Sequence, residues 1–219
     1  MSKLKYIIWG SSGHAKVIND VIQSNGGQVI AFIDENPLAH SVISNVPIFI
    51  GENGFKKWLS DTDSLENIFY CLAIGGARGK ERTELASFLN SSGLRPASVI
   101  HSTASISGSA KLGHGIHVLA NTVVAAEVCI GDMSIINNSA SVDHECNLGS
   151  GVHIAPGATL CGCVSVGDNT LIGSGAVILP RISVGSNVIV GAGSVVTKHI
   201  PDKMVVAGNP AKIIRKNYD

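Results

Sequence analysis

An α/β domain followed by a parallel β-helix is the fold class this sequence predicts, and three observations predict it. From Ile100 to Val196 an aliphatic residue falls at every sixth position without a miss, through Ile106, Leu112, Val118 and Val124 to Val184 and Val190. Glycine follows every third of these anchors, at Gly113, Gly131, Gly149, Gly167 and Gly185, eighteen residues apart. Charge thins near Pro96: residues 1–98 hold nine Lys/Arg and nine Asp/Glu, whereas residues 99–200 hold three and five.

A period of six fits neither a 3.6-residue helix nor a simple two-residue alternation, which would not single out every third inward site. It is the mark of a hexapeptide-repeat β-helix. Two positions before many anchors stands a small or β-branched residue: Ala104, Ala110, Thr122, Ser134, Ala140, Ala158, Thr170, Ala176 and Ser194. Eighteen residues make three hexads, hence a triangular coil, and the recurring glycine is expected at a corner where the backbone turns sharply. Stacked coils then lie about 4.8 Å apart. The expected domains are residues 1–98 and 99–219, with a tail that leaves the hexads near residue 201 and carries four basic and two acidic residues.

In the first domain Tyr6–Trp9 reads as a buried strand, Gly10–His14 as a turn, and Ala15–Ser24 as a helix. Val29–Ile33 is a second strand ending at Asp34, Ile68–Ile74 a third ending at Gly75, and Lys80–Asn90 a further helix. Between them, Pro47–Ile50 reads as a short strand and Glu52–Leu59 as a helical turn, with Phe55 and Trp58 in the core. Strands alternating with helices predict a small Rossmann-like sheet, whose ligands sit beyond the carboxyl ends of the strands. Gly10–His14, Asp34 and Gly75 all lie at such ends. The turn offers backbone N–H groups and a helix N-terminus, which hold a phosphate without a basic side chain. The spacing is Gly-x-x-Gly rather than the full dinucleotide fingerprint, so a nucleotide fits better than NAD.

Composition excludes several classes. Net charge is zero with no basic stripe interleaved with aromatics, which argues against nucleic acid. The apolar run Ile7–Trp9 is too short for a secretory signal, and no stretch reaches membrane-spanning length, so no membrane insertion is expected. Five cysteines (Cys71, Cys129, Cys146, Cys161, Cys163) without a Cys-x-x-Cys pair fit a reduced, cytoplasmic setting. Cys161 and Cys163 read as small residues filling coil positions, with a redox or metal pair as the alternative.

One hexad breaks the blandness of the repeats. Val142-Asp143-His144-Glu145-Cys146-Asn147 sets three titratable residues in succession, while the residues in register with His144 on neighbouring coils are Ala126, Gly162, Pro180 and Lys198. Local rules are broken most often at functional sites. A group transfer to an amine or hydroxyl needs a base for the acceptor's proton, and histidine titrates in the useful range. Either neighbouring carboxylate can orient the ring and stabilise the imidazolium. Cys146 lies two before anchor Leu148, an inward position unsuited to a nucleophile. Asn137 can hydrogen-bond a polar ligand, or equally belong to a stacked ladder that satisfies backbone groups.

The ordered combination of Gly10-Ser11-Ser12-Gly13-His14-Ala15-Lys16, the hexads with His144-Glu145-Cys146, and the tail Val205–Lys212 resembles one family over nearly the whole chain. This is the sialic acid O-acetyltransferase and bacillosamine-type nucleotide-sugar N-acetyltransferase family, hexapeptide-repeat acyltransferases with a left-handed β-helix. The resemblance implies a coil of that hand, an exception to the right-handed crossover rule. It implies acetyl-CoA as co-substrate, no metal, and a homotrimer with the active site between adjacent rods. By the same resemblance Ser12, Gly13 and His14 face the phosphates or sugar of a nucleotide-activated amino sugar, Asp34 and Glu35 its base or ribose, and Gly75 the nucleotide. His144 becomes the general base and Glu145 its partner, with Asp143 a bystander or substrate contact. His153, Ser174 and Ala192 match positions that contact acetyl-CoA. Lys212, Arg215 and Lys216 are either attractors of CoA phosphates or a solvated basic terminus.

The activity so implied is N-acetylation of a nucleotide-linked 4-amino sugar in the building of a bacterial surface glycan. O-acetylation of sialic acid or another sugar uses the same histidine, and the sequence does not separate amine from hydroxyl. A sugar-binding solenoid without catalysis is the structural alternative. A γ-type carbonic anhydrase shares the rod: His117 and His153 are thirty-six residues apart and stack in one column, but Ala158 stands where a third ligand is expected. His114 and His117 are otherwise read as surface residues.

Overall fold

Seventeen two-residue strands, from Val99–Ile100 to Val195–Val196, carry the repeats, and in every one the second residue is a hexad anchor. The computed structural model describes residues 3–218. Contacts divide the chain into two units: Met1–Ile74 with Glu84–Val99, and Gly75–Thr83 with Ile100–Asp219. Segment Gly75–Thr83 thus falls with the repeats, whereas the change in composition put it in residues 1–98.

In the first unit, β1 (Lys5–Trp9), β2 (Gln28–Asp34), β3 (Ile48–Ile50), β4 (Ile68–Leu72) and β5 (Arg95–Pro96) form a sheet in the order β3-β2-β1-β4-β5. All of its pairs are parallel. Helices α1 (Gly13–Ser24), α2 (Gly51–Ser60) and α3 (Gly79–Ser91) join them, so the strand–helix alternation read from the sequence holds. Only the third long strand is shorter than expected, ending at Leu72 rather than Ile74. Central β1 is apolar on both faces because it is covered on both, as parallel sheets are. Phe55 and Trp58 are core residues as expected, with the Phe55 ring packed 5.6 Å from Trp9 and 5.5 Å from Phe88.

In the second unit each strand pairs with the strand one coil away, eighteen residues on: Val124 with Val142, Ile130 with Leu148, Ile136 with Ile154. Three parallel sheets result, the faces of a triangular prism. From Val118 onward the anchors are buried, and so are the residues two before them; Thr122, Ser134, Ala140, Ala158, Thr170, Ala176 and Ser194 are nearly inaccessible. These two ladders are the core.

The corner glycines work differently from the expectation. From Leu112 to Val190, left-handed backbone falls three residues after each anchor, on Gly115, Asn121, Glu127, Met133, Ser139, Glu145, Gly151 and so on at every sixth position. Gly113, Gly131, Gly149, Gly167 and Gly185 are not among them. A methyl group on Gly131 would instead stand 2.6 Å from the backbone of Gly149, and one on Gly113 2.7 Å from the Asp132 nitrogen. Their role is close approach between coils rather than the turn itself.

Beyond the hexads, a strand at Met204–Gly208 extends one prism face and a last strand at Ala211–Lys216 folds back on it antiparallel. Segment Gly75–Thr83 is fastened to the coils by Arg82, whose side chain is almost fully buried. Its Nε donates to the Met133 carbonyl at 3.0 Å and a terminal nitrogen to the Gly151 carbonyl at 2.6 Å, corner residues of successive coils. Burial pulls the Arg82 guanidinium down to about 10, with Glu81 opposing and Arg78 adding to the shift.

Candidate active site

Asp143, His144 and Glu145 occupy one corner of the prism, between anchor Val142 and inward Cys146. Glu145 takes the left-handed backbone that the corner requires, φ 57°, a conformation costly for a residue with a Cβ and frequent at functional positions. Asp143 Oδ1 accepts the His144 backbone N–H at 2.7 Å and so holds the corner's shape. The His144 Nδ1 atom lies 2.9 Å from Glu145 Oε2. A carboxylate only accepts, so Nδ1 carries a proton, and in the neutral ring the lone pair is on Nε2. Both side chains are about half exposed.

Two neighbours one coil on were not assigned to this site from the sequence, where Gly162 entered only as the residue in register with His144 and Cys163 as a small coil residue or half of a redox or metal pair. The His144 ring lies over Gly162: a methyl group there would stand 2.5 Å from Nε2 and 2.6 Å from Cε1. Cys163 Sγ is 3.7 Å from Glu145 Oε2. The eighteen-residue register made both alignments available, but their meaning depends on the pose of the ring and the carboxylate. Cys146 points inward as expected, buried, its thiol donating to the Cys161 carbonyl at 3.2 Å. Burial is the main cause that pushes this thiol up to about 11, the opposite of an activated nucleophile.

His153 is buried on a prism face. Its Nδ1 is 3.2 Å from the Gly76 carbonyl and its Nε2 3.2 Å from Asn137 Nδ2. The ring is therefore a neutral imidazole that donates from Nδ1 and accepts at Nε2. Asn137 in turn accepts the Asn138 N–H at 2.8 Å, so it belongs to an internal network. Gly75 falls beside this network: a methyl group on it would lie 3.8 Å from His153 Cε1. His117 corrects an expectation, because it is buried rather than on the surface. It does stack two coils from His153, both pairing with Ile135. The His153 nitrogens, however, are committed to Gly76 and Asn137, which removes the ligand pair of a carbonic anhydrase-like centre.

Ser174 and Ala192 are exposed and eighteen residues apart, stacked at a different corner from His144, where the Ser174 carbonyl accepts the Gly193 N–H at 2.8 Å. Within one chain the structure gathers His144 with Glu145, and Asn137 with His153, Gly75 and Gly76. It does not bring Ser174 and Ala192 to His144.

In the first unit, Gly10 has φ 99° and leaves no room for a side chain, since a methyl group would meet the Ala73 carbonyl oxygen at 2.8 Å. Ser11 donates from its backbone and its hydroxyl to Asp34 Oδ2, at 2.7 and 3.0 Å, and Asn36 donates to Asp34 Oδ1 at 2.9 Å. Asp34 is thus the anchor of the glycine turn. Ser12 is the N-cap of α1, its side chain making no cap bond, and Gly13 and His14 open the helix. Glu35 is exposed, its carboxylate 3.3 Å from where a side chain of Gly51 would begin.

Comparison with known proteins agrees with this architecture. A family model described as the PglD N-terminal domain matches residues 5–84, and one described as bacterial transferase hexapeptide (six repeats) matches residues 163–198. No curated protein matches the chain in sequence. Among solved structures, a variant of perosamine N-acetyltransferase from Caulobacter crescentus in complex with CoA and GDP-perosamine is 33% identical, with a TM-score of 0.88 over 97% of both chains. The acetyltransferase domain of PglB from Neisseria gonorrhoeae in complex with acetyl coenzyme A is 32% identical, with a TM-score of 0.85 over 97% of this chain and 100% of that one. WeeI from Acinetobacter baumannii is 28% identical, with a TM-score of 0.84 over 95% and 99%. A small α/β domain joined to prism-shaped coils, matched end to end at this identity, leaves one conclusion: the chain belongs to the bacillosamine-type nucleotide-sugar N-acetyltransferase family, acetyltransferases built on a left-handed β-helix of hexapeptide repeats.

Proposed function

We propose that this protein transfers an acetyl group from acetyl-CoA directly to the amine of a nucleotide-linked 4-amino sugar, with His144 as general base. The observation that carries the reading is the 2.9 Å contact between His144 Nδ1 and Glu145 Oε2, which supports a neutral ring with its lone pair on Nε2, on a side chain about half exposed. Nε2 takes a proton as the sugar nitrogen attacks the thioester carbonyl. The carbon–nitrogen bond forms, the tetrahedral intermediate collapses with loss of the carbon–sulfur bond, and the imidazolium, steadied by Glu145, protonates the departing thiolate. The buried, raised thiol of Cys146 supports direct transfer over an acyl-enzyme.

The substrate class rests on the relatives, one of which binds GDP-perosamine and CoA and another acetyl coenzyme A. The turn at Gly10–His14 would hold the diphosphate through backbone N–H groups at the start of α1. Ser174 and Ala192 stand at a different corner from His144, so acetyl-CoA contacts from a neighbouring copy complete the site in a homotrimer. Among the described residues no helix is long and apolar enough to cross a membrane. The product fits the assembly of a bacterial surface glycan in the cytoplasm, the relatives named being bacterial.

The test is thiol release from acetyl-CoA with UDP-, dTDP- and GDP-linked 4-amino sugars, for wild type and His144→Ala. Rapid release with one of them, abolished in the variant, is expected. Turnover on sialic acid alone would move the activity to O-acetylation, and undiminished turnover in His144→Ala would sink the role of the base.

A further inference from the structure

Cys161 and Cys163 have no part in acetyl transfer as described, yet the structure gives the second cysteine a particular setting. Cys163 stands one coil beyond Glu145 at the same left-handed corner position, φ 60° against 57°. Its backbone nitrogen donates to the His144 carbonyl at 2.9 Å, so the two corners are locked in register. Glu145 Oε2 lies 3.7 Å from Cys163 Sγ and 2.9 Å from His144 Nδ1. One donor atom from each of the three residues lies within 4.8 Å of the other two.

Zinc binds nitrogen and oxygen at about 2.0 Å and sulfur at about 2.3 Å, which in a tetrahedron sets ligand atoms roughly 3.3–3.6 Å apart. The three donors bracket those separations on a backbone already fixed by the stacked coils. A carboxylate, a thiolate and a neutral imidazole together balance a divalent cation, and a fourth position faces solvent. Cys146 and Cys71 are buried in the cores and cannot join the set.

We propose that His144, Glu145 and Cys163 form a binding site for a thiophilic divalent cation, with Zn²⁺ the natural occupant, and that its occupation switches acetyl transfer off. Coordination through Nδ1 requires the other tautomer, so the ring's single proton passes through solvent from Nδ1 to Nε2, and the Cys163 thiol releases its proton to solvent. Nε2 then has no lone pair for the acceptor. The binding half of the inference stands independently of the proposed reaction, while the inhibitory half rests on His144 acting as the base.

The experiment titrates metal-free protein with Cd²⁺, read by the ultraviolet thiolate-to-metal charge-transfer band, and with Zn²⁺, read by acetyl transfer normalised to each variant's own metal-free rate. Wild type and Cys161→Ala are expected to saturate at one Cd²⁺ per chain with a thiolate band, and Cys163→Ala to lack the band. The Zn²⁺ concentration for half inhibition should rise by about tenfold or more in Cys163→Ala, since even outer-shell changes cost that much affinity. A band that survives in Cys163→Ala, or is lost in Cys161→Ala, overturns the site. A band with the expected pattern but no acetyl transfer in any variant would leave the site intact and defeat the proposed reaction instead. Should Cys163→Ala fail to fold, alkylation of wild type decides: Zn²⁺ must shield Cys163, mapped by mass spectrometry, and equal labelling with and without Zn²⁺ refutes the proposal.

Discussion

The imidazole of His144 lies across the backbone of Gly162, one coil on, so closely that a single methyl group there would stand 2.5 Å from Nε2. Gly162 is not in the left-handed region, so its backbone accepts alanine and the consequence of Gly162→Ala falls on the ring. The ring must swing off its bond to Glu145. The expected result is a fall in kcat of about 100-fold, the scale of an ångström's misplacement at a reacting group, with the KM for acetyl-CoA and the unfolding midpoint close to wild type. A variant with normal kcat would mean that the ring works from another pose.

Glu145 and His144 should separate by degree. Glu145→Gln keeps an acceptor for the Nδ1 proton but loses the charge that steadies the imidazolium, whereas His144→Ala removes the base. Single-turnover rates at saturating substrates should fall by about 10²- to 10⁴-fold in His144→Ala and by less in Glu145→Gln. An equal loss in both would assign the carboxylate a direct part in the chemistry.

The repeats were legible because their signal is a period. Each anchor from Ile100 to Val196 is the second residue of a strand, as a six-residue spacing demands. The same spacing did not reveal what the eighteen-residue glycines do: sequence shows where Gly131 is, but not that the Gly149 backbone passes 2.6 Å from its missing side chain. His117 was misread for a similar reason. A polar residue on an outward strand position is expected at the surface, and the burial of His117 is a tertiary property that no local pattern encodes. The contact between His144 and Glu145 lies in the one hexad where three titratable residues interrupt an apolar, small-residue ladder, so the pair was legible as a candidate. Asp34 was half legible: its place at a strand end was right, while its bonds to Ser11 and Asn36 depend on how the turn closes.

Arg82 should prove a structural fastening. Its guanidinium joins the Met133 and Gly151 carbonyls on successive coils, and Arg82→Met would leave both acceptors buried without that donor. Each unsatisfied group costs about 1–3 kcal/mol, so denaturant unfolding should report a loss on that scale, with faster amide exchange across residues 76–83. Lysine should rescue poorly, because a single ammonium does not reproduce the two-pronged geometry. Unchanged stability in Arg82→Met would show that water replaces the side chain.

Cys146 predicts how stability responds to alkali. Its thiol is buried in the coil core and donates to the Cys161 carbonyl, and burial raises it from 9.0 to about 11. A group whose proton is held more tightly in the folded state stabilises the fold fully below its unfolded value and loses that contribution as pH rises through its folded value. Unfolding free energy should therefore be insensitive to this group below pH 9 and should fall between about pH 9 and 11. Cys71, buried in the first unit and raised further by burial, adds to the decline in the same direction. The check is chemical denaturation at neutral and alkaline pH. Wild type should weaken more steeply than Cys146→Ala, which begins less stable because of the cavity but lacks the proton to lose. If the two curves run parallel through this window, Cys146 does not contribute to the alkaline transition and the buried thiol ionises no differently in the folded chain than in the unfolded one.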